Sequence, residues 1–204
     1  GVIFRLVAQL LSCLIIIGSG LVIQNIGDYM FLPNIQIGIL SIVFTVFCVI
    51  GLTNSFNFID GVDGLSSGLA LISIISILLI SLLDNTYEYM QDFNYIIVLC
   101  LTLVLFILIN LTSYFKIFLG DSGSMFLGFM VSWLLIMTSQ DENQIIHPIL
   151  TIWCVTLPVF DITSVVIRRI MRGINPFKPD RRHIHHILIE MGFRDLSTTI
   201  IILL

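Results

Sequence analysis

The chain has 204 residues, 57% of them hydrophobic and only 11% charged, with a mean hydropathy of +1.08; a soluble domain carries about a quarter charged residues. So few charges cannot clothe a water-facing surface, which excludes a soluble globular enzyme and predicts a surface that faces lipid. The net charge of −4 says little, because in such a chain the position of each charge matters more than the sum.

Spanning the hydrocarbon core takes about 20 apolar helical residues. In chain order the stretches 6–23, 35–52, 65–83, 95–111, 122–139 and 145–167 approach that length, and a seventh starts near Leu196 and stops at Leu204. None alternates strictly between apolar and polar residues, which argues against a membrane β-barrel and leaves helices to satisfy the backbone in lipid. The expected fold is all-α: a polytopic transmembrane helix bundle, with 1–204 as one catalytic domain. The chain opens on Gly-Val-Ile-Phe-Arg without an initiator Met or a signal peptide, and it closes inside an apolar run. It therefore reads as a piece of a longer protein, incomplete at both ends. Cys13, Cys48, Cys100 and Cys154 fall one to an apolar run, without metal or redox spacing, and read as packing residues.

Charge orders the connections. Segments 24–34, 84–94 and 140–144 hold Asp28, Asp84, Glu88, Asp92, Asp141 and Glu142 but no Lys or Arg. Lys116, Arg168, Arg169, Arg172, Lys178, Arg181, Arg182 and Arg194 occupy the alternate connections, and Arg5 sits at the matching end of the first span. All the basic residues thus fall on one side, which the positive-inside rule makes cytoplasmic. Cytoplasmic loops are expected near 54–64, 112–124 and 168–195.

Three polar clusters fall on that same side. The first runs Asn54-Ser-Phe-Asn57-Phe-Ile-Asp60-Gly-Val-Asp63-Gly64. Asn54, Asn57, Asp60 and Asp63 recur every three residues, a spacing that lines them along one side of a helix end. Interfacial carboxylates are costly and usually functional. No twelve-residue ligand frame follows, so a calcium loop of the EF-hand type fits poorly. The second cluster, Lys116 through Phe118, Gly120, Asp121 and Ser124, leads into a span. Small residues there leave N–H groups free for an anion, and Asp121 supplies a hard oxygen for a divalent cation. Its Gly-Asp-Ser-Gly is shared with trypsin-like proteases, but their β-barrel strand pattern is absent.

The third cluster carries Arg168, Arg169, Arg172, Lys178, Arg181 and Arg182, then His183-Ile-His185-His186. Arginine forks bind phosphate and histidine moves protons, so a phosphate or nucleotide clamp explains both residue types. A topology signal explains only the arginines. A zinc site on His183, His185 and His186 is disfavoured, because adjacent residues on a helix point in divergent directions. Asp161, inside a span after Pro158, is expected to be a structural partner at least as readily as a substrate ligand.

These three clusters, in this order, resemble the polyprenyl-phosphate N-acetylhexosamine-1-phosphate transferase family (glycosyltransferase family 4), within the superfamily that holds the muramoyl-pentapeptide transferase of peptidoglycan synthesis. The matching segments are Asn54 to Gly64, Phe118 to Ser124, Arg168 to Asp180 and His183 to His186, and the likeness is taken to run from Gly1 to the end of the chain. The resemblance implies a bundle of ten or eleven helices, and transfer of HexNAc-1-phosphate from a UDP-sugar to undecaprenyl phosphate with release of UMP and dependence on Mg²⁺ or Mn²⁺. It implies that Asn57 and Asp121 hold the metal, that Asp63 and Phe118 hold and stack the uracil, and that Asp60 belongs to the polar shell beside the metal. It places His183, His185, His186 and Arg181 against the sugar-phosphate, with Asn54 among the substrate-binding residues. Asp60, Asp63, Asp121 and His185 form the expected catalytic set. The expected setting is a bacterial inner membrane with the site facing the cytoplasm, membrane lipid and a second copy of the chain as further partners, and no nucleic acid. The product would start a lipid-linked glycan of the cell envelope, such as cell wall or lipopolysaccharide.

Two departures stand out. The family carries a pair of adjacent aspartates on an earlier loop, and no Asp-Asp pair occurs in this chain; the polypeptide as it stands is expected to be inactive. Residues 112–115 also differ from the commoner Pro-Ala lead-in. Two alternatives come from other classes. A membrane transporter would place its polar groups near the midplane in repeated halves. An intramembrane aspartyl protease would use Asp121 with Asp161, leaving the histidines and both asparagines without a role.

Overall fold

A computed structural model of the chain describes residues 2–28, 35–86, 88, 93–112, 116–140, 145–173 and 183–204. Among them the secondary structure is helical apart from one isolated bridge between Asn25 and Gln36. In chain order the helices are α1 (Val2–Ile17), a 3₁₀ turn (Gly38–Leu40) running into α2 (Ser41–Ile59), α3 (Leu65–Leu83), α4 (Phe93–Asn110), α5 (Gly120–Gln140), α6 (Leu150–Cys154), α7 (Thr156–Met171), α8 (Ile184–Glu190) and α9 (Asp195–Leu203). The all-α membrane bundle expected from the sequence is the fold found. Four of these segments are long and apolar enough to cross a membrane: Gly38–Ile59, Leu65–Leu83, Phe93–Asn110 and Gly120–Gln140.

Helix α2 is the centre, packed on α5, α7 and α1. Its contact with α5 depends on Gly128, where a Cβ would come 2.8 Å from the Thr53 Cα and 3.0 Å from the Phe56 Cβ. Hydrophobic burial does not drive helices together in lipid, so small residues that let backbones approach carry the association. Around this seam Thr53 and Ser132 donate to the carbonyls of Val49 and Gly128 one turn back, both at 2.7 Å. That bonding lets hydroxyls sit at a dry interface without an unpaired donor.

The helices depart from the expected spans in three places. The first stops at Ile17 instead of continuing to 23, because Gly18-Ser-Gly20 follows and Gly20 takes φ +94°. The second runs on to Ile59, seven residues past its expected end, so Asn54 and Asn57 lie on α2 itself. The sixth is broken at Val155 (φ −125°, ψ 26°) into α6 and α7. Pro158 is the cause: it has no N–H, and its ring crowds the carbonyl four residues back. That carbonyl belongs to Cys154, and Ser73 of α3 donates to it at 2.7 Å. The neighbouring helix thereby satisfies the group that proline released, as lipid requires.

Candidate active site

Helix α2 ends at Ile59, and Asp60 (φ −75°, ψ 45°) turns the chain out of the helix. Gly64 at φ +74° then starts α3 from the left-handed region, which only glycine enters without strain. The three-residue periodicity therefore does not persist as one helical stripe: Asp60 and Asp63 sit on the turn, while Asn54 and Asn57 stay on α2. The turn is held from the side by α9, whose Thr199 hydroxyl donates to the Asp63 carbonyl oxygen at 2.9 Å.

Helix α5 begins beside this turn. Gly120, at φ +66°, is its first residue, and Asp121 follows in its first turn. Ser124, fully buried, joins the two helices. It accepts a hydrogen bond from the Asn57 amide at 3.1 Å and bonds the Asp60 carboxyl. A cavity of about 250 Å³ opens between the elements, lined by Asp60, Asp63, Asp121, Phe118, Asn110 and Phe106 among others. Of the first two expected clusters, the structure thus brings Asp60, Asp63, Asp121 and Phe118 together on one hollow, with Asn57 tied to it through Ser124. Asn54 stands apart from the lining: its amide nitrogen donates to the Gln9 side chain of α1 at 3.0 Å and to the Ile50 carbonyl at 2.8 Å.

The carboxylates are crowded. Burial above all, and then the neighbouring charges of Asp121 and Asp63, raise Asp60 to about 6 against the opposing Ser124 hydrogen bond. Two cations offset the crowding. Lys116 lies 2.5 Å from Asp63 and Arg5 of α1 lies 3.2 Å from Asp121. Lys116 also stands 5.0 Å from the centre of the Phe118 ring, within cation–π range. From the sequence Arg5 reads only as a topology signal, and Lys116 belongs to the second cluster without an assigned partner. Nor does the sequence single out Asn110, which donates to the Ile117 carbonyl at 2.6 Å and keeps a buried amide oxygen with no partner.

The histidines approach the same turn from the other side. His185 is 1% exposed, and its ring lies against Gly61, where a Cβ would come 2.2 Å from Nε2. Neither of its ring nitrogens has a partner. Burial above all, and then the nearby His186 and His183, lower its pKa to about 4 against the opposing charge of Asp161. His183 stacks on Phe58, with ring centres 5.7 Å apart, and also bonds Asp161. His185 and His186 do not diverge as a simple helical wheel suggests: their rings are 4.1 Å apart, tilted by 44°. Arg181 and residues 174–182 around it lie outside the described residues.

Asp121 and Asp161, the pair an aspartyl protease would need, have different partners here: Arg5 for the first, His183 and the Ile184 amide for the second. Asp60, Asp63 and Asp121 gather at helix ends rather than at mid-span, unlike a transporter's binding groups.

Comparison with known proteins matches residues 1–139 to the model of glycosyl transferase family 4. The chain belongs to glycosyl transferase family 4. The family match includes the α2–α3 turn and the start of α5 but stops before the histidine cluster, so it covers only the first part of the expected full-length likeness. Among relatives, the undecaprenyl-phosphate alpha-N-acetylglucosaminyl 1-phosphate transferase of Salmonella typhi is 39% identical over 90 residues, 44% of this chain and 24% of its own length. The enzyme of the same name from Yersinia pestis is 35% identical over 106 residues, 50% of this chain and 29% of its own. The matched segments thus span about a quarter of the length of these relatives.

The residues of this family 4 chain could hold a divalent cation only if a substrate shares it. Among the described residues, no three His, Cys, Asp or Glu side chains form a group that could hold a metal ion. Mg²⁺ at nucleotide sites is rarely caged so; one or two carboxylates hold it and substrate phosphates complete the shell. Asp60, raised above its ordinary value by burial and then by the charges of Asp121 and Asp63, belongs to the donor chemistry that such a shared ion would relieve.

Proposed function

We propose that this chain carries the donor-sugar site of an enzyme that transfers N-acetylhexosamine-1-phosphate from a UDP-sugar to undecaprenyl phosphate, releasing UMP. One observation carries the reading: Asp60, Asp63 and Asp121 share a cavity with the aromatic ring of Phe118, next to a turn backed by His185. The printed names of the relatives support the same acceptor and sugar class. Family membership supports the UDP-linked donor.

The chemistry asks for little covalent work. Phosphoryl transfer is governed by neutralising charge on the phosphates and by in-line placement of the acceptor oxygen. Mg²⁺ or Mn²⁺, held by Asp121 and the Asn57 side-chain oxygen, would supply that neutralisation. Asn57 is suited to it because its nitrogen is engaged by Ser124, which leaves its oxygen for a cation. Phe118, 69% exposed, offers a face for a base to stack on, and Asp63 an acceptor for an N–H on the base edge. His183, His185 and His186 would face the sugar-phosphate. The lipid acceptor would lie along the end of α7, where Ile167 and Met171 stand with Arg168, Arg172 and Ser164 on an open surface. Apolar surface beside guanidinium groups suits a phosphate on a hydrocarbon tail. The side that carries the basic residues would face the cytoplasm of a bacterial inner membrane. A cell-envelope glycan would be the product's destination.

The test uses the full-length protein in detergent with UDP-GlcNAc or UDP-GalNAc, undecaprenyl phosphate and Mg²⁺. UMP should appear only when all three are present and should stop with EDTA. No UMP from either donor, or release indifferent to EDTA, rejects the reading.

A further inference from the structure

Asp161 lies on α7, yet both of its carboxylate oxygens serve the histidine segment. Oδ2 stands 2.6 Å from Nδ1 of His183. Oδ1 accepts the backbone N–H of Ile184, the first residue of α8, at 2.9 Å. Both side chains are nearly dry, with 7% of His183 and 10% of Asp161 exposed. His183 is the residue before α8 and makes no side-chain cap of its own. The capping oxygen that helices usually draw from their N-cap residue is therefore provided from 23 residues away.

We propose that Asp161 is a positioning residue for the transfer reaction, fixing the ring tautomer of His183 and the seat of α8 in one bidentate contact. A carboxylate can only accept, so the proton between the two groups belongs to His183 Nδ1. Nε2 is then the nitrogen left to meet a ligand, and the ring cannot turn over without losing the contact. The cap fixes where α8 starts. It thereby sets the rotation that lays His185 against Gly61, where there is room for no Cβ. Phe58 of α2 stacks on the His183 ring, so the ring is held by a charge at its Nδ1 edge and an aromatic plane along a face. Orientation of this kind matters because misplacing a reacting group by about 1 Å costs on the order of 10²-fold in rate.

This inference rests on the transferase reading for its kinetic consequence, but not for its structural one. In Asp161→Asn the amide oxygen can still accept the Ile184 N–H, while the amide nitrogen faces His183 and requires an acceptor there. The tautomer should invert with the fold intact. The full-length protein, labelled with ¹⁵N-histidine in micelles and assigned with His183→Gln, should give an Nδ1–H ring in the wild type and an Nε2–H ring in Asp161→Asn. In the same variant kcat for UMP release should fall about 10²-fold or more, with the KM for the UDP-sugar changed only a few-fold and the melting temperature close to wild type. Asp161→Glu, which restores the charge, should recover more of the rate than Asn. The same His183 tautomer in both proteins overturns the inference, as does wild-type kcat in Asp161→Asn or a loss of rate that follows the loss of folded protein. If the wild type releases no UMP at all, the transferase reading fails, and the tautomer measurement still decides the role of Asp161.

Discussion

Each end of the bundle seats a histidine ring against a glycine, and among the described residues the contacts around the two pairs differ. At one end His185 fills the space before Gly61; at the other, the ring of His147 lies where a Cβ on Gly27 would come within 2.4 Å. Around Gly61 stand Asp60, Asp63 and Asp121 on a shared cavity, with Lys116 and Arg5 as their counter-ions. Near Gly27 the side-chain hydrogen bonds among the described residues are between neutral amides, although Asp28 adjoins it in sequence. The Gln140 side-chain oxygen accepts the N–H groups of Gln24 and Asn25 at 2.9 and 3.2 Å, and its nitrogen donates to the Asn25 carbonyl at 3.1 Å. Tight packing of an aromatic ring on backbone is thus common to both ends, and it marks no site by itself. What distinguishes the Gly61 end is a set of carboxyl groups held close enough that burial and repulsion shift one of them.

That contrast can be broken most forcefully at Asp121. Asp121→Asn should lower metal-dependent UMP release by about 10³-fold, the scale of losing one stabilising group at a charged transition state; turnover near wild type in a steady-state assay would remove the metal assignment. The paired glycines give a sharper comparison. Gly61→Ala pushes a Cβ into His185, and overpacking of this kind costs about 1–3 kcal/mol. Turnover per folded molecule should drop about 10²-fold as the ring is displaced. Gly27→Ala, strained by its φ of +96° as well as by His147, should lower the melting temperature comparably yet leave turnover per folded molecule unchanged. Equal kinetic loss in both would make the two ends equivalent.

A smaller effect follows from His185. Its folded pKa of about 4 lies below the ordinary 6.5, so between those values the unfolded chain binds more protons and stability rises with pH. Asp60 has the opposite sign: raised from 3.8 to about 6, it contributes less stability as pH rises through that window. His185→Gln separates the two. Melting curves should show the wild type gaining on the variant, by up to about 3 kcal/mol, as pH rises from 4 to 6.5; a constant gap would mean the ring is not buried in neutral form. Smallest in function is Gln140→Ala, which should cost about 1–3 kcal/mol through the backbone groups left unpaired, with kinetics unaltered.

Much of this was legible in the sequence, and unevenly so. The span 65–83 coincides with α3 at both ends, because a serine- and leucine-rich run between Gly64 and Asp84 has sharp local stop signals. The convergence of Asp60, Asp63 and Asp121 was readable from the charge alternation, since connections on one side of a membrane must share an end of the bundle. Pro158 lay in view inside an expected span, and the break it causes at Val155 follows from its missing N–H. The partners were not readable. Arg5 meets Asp121 across 116 positions and Thr199 meets the Asp63 carbonyl across 136, pairings that depend on helix rotation and leave no local periodicity. Ser124 and Asn110 look like ordinary helix-end residues until their neighbours are known.

The most direct trial is a structure of the full-length protein with UDP-GlcNAc and Mn²⁺ bound. The account predicts an anomalous Mn²⁺ peak between Asn57 and Asp121, shared with the diphosphate, and a uracil ring stacked on Phe118 beside Asp63. A nucleotide seated away from the α2–α3 turn, or a metal with neither residue in its shell, would contradict it.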